Sequence, residues 1–320
     1  MKLYRNAIIL AAVAVLLLVI YLLPAGKNRA GNHPYQNNDG TINLLNIDLD
    51  KVNEIDIDNK NNKLVFVKKE DGWALAEPSG IKYDQSVADG LPLSIFYLAS
   101  VKTIDEKSND LSEYGLDHPS VISVKTVDGN FNTLKVGNLA SAKDGYYVKV
   151  NNGGKIYIID RDKANSILLT KTSVKDKNVL SFNRELRPRM LADDIFSVTM
   201  EKGGTTVFSA RKNAADGVWS MTSPVKGNID NDMISPVLNS ISKVLAKEFI
   251  AENPPDLDRF GLKKPAYSLE FENSTGRKKL LIGDEKEVGN EFYAMVEGVN
   301  DIFSLSEAGF DYLDKPLREF

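Results

Sequence analysis

Cysteine is absent from this 320-residue sequence, and histidine occurs only at His33 and His118. The first absence excludes disulfides, thiolate zinc sites, iron–sulfur clusters, cysteine nucleophiles and a lipid-modified cysteine anchor. The second excludes a histidine-rich metal site and leaves no histidine suited to a serine triad. An excess of one charge is also missing. Forty Lys and Arg face 44 Asp and Glu, a net charge of −4, so nothing in the bulk electrostatics draws the chain to nucleic acid. No glycine-rich dinucleotide fingerprint, P-loop, nucleophile elbow or HExxH stands anywhere in it. These absences lead to the expectation of a non-catalytic protein without a cofactor. Serine–lysine chemistry or a pair of carboxylates would be the routes left to an envelope hydrolase.

What is present begins with an unbroken apolar run, Ala7 to Leu23, seventeen residues without a charge or a helix breaker. As a helix it would reach roughly 26 Å, the short end of what crosses a hydrocarbon core. Lys2 and Arg5 precede it and Lys27 and Arg29 follow, a slight bias towards a cytoplasmic N-terminus. Tyr21 stands where an interfacial aromatic is expected. A cleaved signal peptide is the competing reading, although Leu23-Pro24-Ala25-Gly26 offers no A-x-A site. Either reading places the remaining chain outside the cytoplasm, and the first makes the lipid bilayer a partner. Residues 24–41, rich in Gly, Asn and Pro and carrying His33, read as a flexible tether.

The strongest internal signal is duplication. A shift of 146 positions lays Trp73 on Trp219, Pro78 on Pro224 and Asp84 on Asp230. The same shift lays Asp110, Tyr114, Gly115, Leu116 and Pro119 on Asp256, Phe260, Gly261, Leu262 and Pro265. Further on, Leu134, Gly137, Tyr147 and Ile156 meet Leu280, Gly283, Tyr293 and Ile302, with a one-residue slip expected near residues 121–130. Asp176 to Phe182 resembles Asp314 to Phe320, so the first repeat is expected over 42–182 and the second over 183–320.

Within a repeat, period-2 patterns predict strands over 52–58, 63–68, 121–127, 131–136, 146–150 and 155–159, with another after the Asp-Gly-Trp turn. Asp84 and Asp230 read as N-caps of helices carrying apolar residues at helical spacing. Pro92 and Pro236 lie inside those patterns and should shift or kink the helix starts. A short helix is expected from Arg161 to Leu169. Many strands and few helices make each repeat α+β with a mainly antiparallel sheet.

Each recurrent motif has a structural reading beside a functional one. In D-L-x-x-(Y/F)-G-L-x-x-P, the aspartate can accept the N–H groups of a one-turn helix, and the glycine can take a positive φ. The aromatic is then expected to face the core, and the proline to start the next strand. Trp73 and Trp219, with Tyr147 and Tyr293, are the candidates for stacking on a cell-wall glycan or peptide; the alternative is that each indole closes a core. His118 is matched by Lys264, so no role for it is shared by both copies. Asp56 to Asn62 faintly resembles a calcium loop, but Lys60 and Asn61 occupy ligand and glycine places, and a polar hairpin explains it. Carboxylate pairs also occur at Asp48/Asp50, Asp193/Asp194 and Asp230/Asp232. The basic stretch holding Lys171, Lys175, Lys177, Arg184, Arg187 and Arg189 reads as a solvated connection between repeats.

The apolar N-terminal run, the DGW-x-(L/M)-x-x-P segment, the (Y/F)-G-L turn and the L-x-(V/I)-G strand end together resemble the bacterial family called domain of unknown function 4340. The resemblance covers nearly all of the chain after residue 42. It implies a membrane-anchored protein encoded beside ABC-transporter subunits of the gliding-motility type, with a permease and ATPase complex as partner. It implies no catalytic residues.

Overall fold

A computed structural model of the chain describes residues 35–36, 41–60, 62–104, 110–140, 144–180, 195–242, 244–274, 276–288 and 290–306. The expected membrane helix over 1–23, His33, Asp193/Asp194, Arg184, Arg187, Arg189 and the segment 314–320 lie outside the described residues. Among the described residues no helix is long and apolar enough to cross a membrane.

The contacts divide the chain into two units, one ending at Val174 and the other beginning at Lys175. The first contains β1 (Tyr35–Gln36), β2 (Ile42–Asn43), β3 (Val52–Asn59), β4 (Asn62–Lys69) and β5 (Gly72–Glu77). Helix α1 (Gln85–Phe96) follows, then β6 (Ala99–Ile104), β7 (Ser120–Thr126), β8 (Phe131–Leu139), β9 (Gly145–Val150), β10 (Ile156–Asp160) and α2 (Arg161–Ile167). They form one ten-stranded sheet in the order β1-β2-β6-β10-β9-β8-β7-β3-β4-β5, with every pair antiparallel.

The second unit contains β11 (Ile195–Lys202), β12 (Thr205–Lys212), β13 (Trp219–Ser223), β14 (Gly227–Ile229) and α3 (Asn231–Ser242). It continues with β15 (Glu248–Glu252), β16 (Tyr267–Asn273), β17 (Gly276–Glu285), β18 (Glu291–Val296) and β19 (Asp301–Ser306). Its order, β14-β13-β12-β11-β16-β17-β18-β19-β15, repeats that of the first unit strand for strand. The additions lie at opposite edges, β1-β2 in one copy and β14 in the other. Both units are α+β and mostly sheet.

Alternation explains these strands. In β7, Ser120, Ile122, Val124 and Thr126 are buried and the residues between them are not, as a half-buried strand requires. The ladder carries the duplication into register: Ile57 pairs with Ile122, which pairs with Leu134, while Met200 pairs with Leu269, which pairs with Leu280. The offset is 146 at Leu134 and Leu280 but 147 at Ile122 and Leu269. This is the expected one-residue slip, absorbed between proline and strand so that both buried faces stay inward.

Helix α1 buries Ala88, Leu91, Pro92 and Ile95, and α3 buries Ile234, Val237, Leu238 and Ile241 at the matching positions. The prolines do not shift the helix starts: α1 begins directly after Asp84, and α3 directly after Asp230. Asp84 accepts from the Ser86 N–H at 2.9 Å, and Asp230 from the Asp232 N–H at 3.2 Å. Pro92 supplies no backbone N–H to the helix, and its ring is buried.

Each unit also opens on an apolar segment tucked beneath its sheet. In the first, Leu44, Leu45 and Ile47 enter the core, and the Leu44 N–H donates to the Leu98 carbonyl. In the second, Val179 and Leu180 do so, and the Ala246 N–H donates to the Lys177 carbonyl. The unit boundary therefore falls between Val174 and Lys175, eight residues before Phe182, where the sequence alignment ends the first copy.

Candidate functional site

The recurrent (Y/F)-G-L motif builds the same object twice. Asp110 Oδ1 accepts from the Ser112 N–H at 2.9 Å and from the Ser112 hydroxyl, which holds its carboxyl below the usual aspartate range. Asp256 Oδ1 accepts from the Asp258 N–H at 2.9 Å. One helical turn follows, Ser112–Tyr114 in one copy and Asp258–Phe260 in the other. Gly115 at φ 65° and Gly261 at φ 66° then reverse the chain in the left-handed region. The N–H groups of Leu116 and Leu262 return to the carbonyls of Leu111 and Leu257, each at 3.0 Å. Leu116 and Leu262 are buried. Pro119 and Pro265 stand just before β7 and β16.

This turn sits on a glycine of the neighbouring strand. A Cβ on Gly137 would overlap the Tyr114 carbonyl oxygen, and one on Gly283 would overlap that of Phe260. The motif aromatics do not face the main core, as expected from the sequence, but meet a tyrosine of the sheet. Tyr114 packs edge-on against Tyr147 with centroids 5.0 Å apart, and Phe260 against Tyr293 at 5.1 Å. In the second unit Phe260, Leu262, Met295 and Ile302 form a small cluster separate from the main core. Alternation is the reason. Tyr146 and Phe292 point to the main core, so Tyr147 and Tyr293 point to the other face.

Trp73 and Trp219 lie in the main cores, 8% and 2% exposed. The structure thus does not bring them together with Tyr147 and Tyr293. Trp73 is further fixed by its backbone: its N–H donates to Asp89 Oδ1 at 2.9 Å, and its carbonyl accepts from Gln85 Nε2 at 2.7 Å. These bonds tie β5 to α1. Indoles enclosed in this way fill cores and present no stacking platform.

Several charged groups form ion pairs. Lys125 bridges Glu54 and Asp56 across β3 and β7; its hydrogen bond lowers the Glu54 pKa, and the Glu54 and Asp56 carboxylates raise its own. Asp56, first residue of the calcium-like stretch, is thereby paired to an ammonium, and the stretch itself is the β3–β4 hairpin. Glu201 accepts from Ser268 at 2.7 Å and from Lys279 at 3.1 Å, and the two hold its carboxyl low. His118 is exposed and lies 3.0 Å from Asp117.

Two arrangements belong to the second unit alone. Glu291, its side chain 8% exposed, is held by Lys247 at 2.5 Å and Lys286 at 3.0 Å. The Lys247 ammonium, followed by the Ser304 hydroxyl and Lys286, pulls this carboxyl down to about 2. The first copy has Gly145 there, where a Cβ would overlap the Ile159 carbonyl oxygen. Lys175 is also buried, 7% exposed, between Glu252 at 2.6 Å and Asp301 at 2.8 Å, with its ammonium 5.2 Å from the Phe249 ring centre. The solvated connection expected from the sequence does not include Lys175, which is a structural cation of the second unit.

One cleft of about 750 Å³ opens in the second unit at the β12–β13 hairpin, lined by Phe196, Arg211, Lys212, Asn213, Gly217 and Ser220. Arg211 lies over the Phe196 ring and pairs with Glu272 at 3.2 Å, so its charge is already matched. Among the described residues no three His, Asp or Glu side chains are grouped to hold a metal ion.

Two copies of one antiparallel sheet, each covered by a helix and locked by a glycine-seated turn, define a tandem-duplicated α+β protein. The chain belongs to the domain of unknown function family DUF4340, which it matches over residues 73–217 and 219–320. The matched segments begin at the equivalent residues Trp73 and Trp219, 146 positions apart (219 − 73), the same offset that aligns the copies. No curated protein and no solved structure matches the chain.

Proposed function

We propose that the protein is a membrane-anchored, extracytoplasmic accessory or scaffold subunit of an ABC transport system. The observation that carries this reading is the use made of the recurrent residues. The tryptophans, the (Y/F)-G-L turns and the strand glycines that both copies share go into packing. What duplication preserved is therefore a shape, and a shape kept twice suits a protein that works through its surfaces. The apolar run Ala7 to Leu23 supports the anchor, and the exported units follow from it. The permease and ATPase partner is the one that the family resemblance implies.

Three measurements test the reading. The full chain should remain in membranes washed with alkaline carbonate and be digested by protease added from outside intact cells. Purified in mild detergent, it should bring down a permease and its ATPase; recovery alone, from preparations in which other transporter complexes survive, would sink the assignment.

A further inference from the structure

Helix α1 has two faces, and only one is accounted for by the fold. Ala88, Leu91, Pro92 and Ile95 are buried against the sheet. On the outer side Leu93 is 49% exposed and Tyr97, at the cap, 62% exposed, with Phe96 half-buried between them. The Phe96 and Tyr97 rings meet edge to face at 4.9 Å. Residues at i, i+3 and i+4 form one surface, so these three make a continuous apolar and aromatic patch.

The second copy serves as an internal control. Its helix keeps the same buried positions, Ile234, Val237, Leu238 and Ile241, in the same place on an equivalent sheet. At the positions matching Leu93, Phe96 and Tyr97 its sequence has Asn239, Ser242 and Lys243. The fold therefore does not require apolar residues there. The patch is particular to the first copy, although α3 exposes an apolar residue of its own, Met233, in its first turn.

The path of the chain bears on what the patch faces. Tyr35 pairs with Asn43, and Asn43 pairs with Ala99, two residues beyond Tyr97. Two ladder steps are about 10 Å, so the chain enters the first unit beside the patch. Only residues 24–34 separate Tyr35 from the end of the apolar run at Leu23. Eleven residues span about 40 Å at full extension, and roughly 17–20 Å root-mean-square as a coil.

Resting on the anchored reading above, we propose that Leu93, Phe96 and Tyr97 seat the first unit on the lipid bilayer. Leucine and phenylalanine enter the headgroup–acyl boundary, and tyrosine places an apolar ring with a polar hydroxyl at the headgroup level. A patch of three residues is too small to hold a free protein on a membrane. On a tether this short the second contact is intramolecular, at an effective concentration in the millimolar range, and a weak contact suffices. It fixes which side of the first unit faces the lipid and leaves the opposite side open to a partner.

The absence of cysteine makes the test clean. The full chain carrying Leu93→Cys, labelled with a polarity-sensitive fluorophore, is reconstituted in phosphatidylethanolamine–phosphatidylglycerol vesicles beside the same label at Asn239→Cys. The label at 93 should emit to the blue, be quenched by brominated acyl chains, and be several-fold less open to aqueous iodide than the label at 239. Adding Tyr97→Ser should return it towards water, while circular dichroism and retention after a carbonate wash stay unchanged. Equal iodide access at both positions in carbonate-resistant protein overturns the bilayer contact and leaves the anchor standing. Protection seen only in native membranes, and not in pure lipid, also overturns it and assigns the patch to a protein. Loss of the unmodified chain to carbonate removes the anchored reading, and the inference with it.

Discussion

Gly137 lies directly beneath the carbonyl oxygen of Tyr114, and Gly283 stands in the same relation to Phe260. A glycine in a strand interior ordinarily weakens the strand, so two in equivalent places indicate close backbone approach. Here the (Y/F)-G-L turn presses its carbonyl onto the strand, and the paired aromatics close over the contact. Gly137→Ala or Gly283→Ala should therefore lower stability by about 1–3 kcal/mol through overpacking. Gly154→Ala, where nothing lies within 4 Å of an added Cβ, should change it little. Urea unfolding of the three variants measures the contrast; equal midpoints would show that the contact is slack.

Glu291 predicts an acid sensitivity of the second unit. Its carboxyl is lowered from 4.5 to about 2 by Lys247 first, then by the Ser304 hydroxyl and Lys286. Because the folded value lies below the unfolded one, the stabilisation is present in full above about pH 4.5 and lost as pH falls through about 2. Half-exposed Lys247 is screened by solvent, so the contribution is on the order of 2 kcal/mol rather than the full value of the shift. Glu291→Gln should lower stability at pH 7 and flatten the profile between pH 5 and 2. A profile identical to that of the parent chain would remove Glu291 from the account.

Lys175 should matter to the second unit and not to the first. Its ammonium is buried against Glu252 and Asp301, at the ends of β15 and β19. Lys175→Ala strips both carboxylates of their partner and should cost about 3 kcal/mol, less if water reaches them. Hydrogen exchange should quicken in β15 and β19 while β6 and β10 keep their protection. Quickening in β6 and β10 instead would move Lys175 to the first unit.

The tryptophans should behave as core residues. Emission from Trp73 and Trp219 should lie to the blue and resist iodide, since both indoles are buried. Trp219→Ala should destabilise by about 3–5 kcal/mol, as removal of a large buried side chain does. Cell-wall fragments that quenched the native emission without unfolding the protein would revive the stacking reading.

Most strands were legible because a half-buried strand writes its own period into the chain. Ile55, Ile57, Ile122, Val124, Leu134 and Val136 all fall at alternate positions and all are buried. The N-caps Asp84 and Asp230 were legible for a similar local reason. Strand β6 was not. Ala99 to Ile104 has no clear alternation, and it is a strand because β2 and β10 flank it in the sheet. The burial of Lys175 left no signal either, since its two carboxylates stand 77 and 126 positions away (252 − 175 and 301 − 175).

By itself the sequence determined that one module occurs twice, that it is mainly antiparallel sheet, and that chemistry based on cysteine or a histidine triad is excluded. Composition, period and offset are properties of neighbours along the chain, and they need no third dimension. Tertiary structure alone decided that the motif aromatics serve the far face of the sheet, and that the shared tryptophans are enclosed. It also decided that Leu93 and Tyr97 stand on the outer side of α1. Those facts depend on which surfaces meet, and residues brought together from distant positions carry no local mark of their meeting.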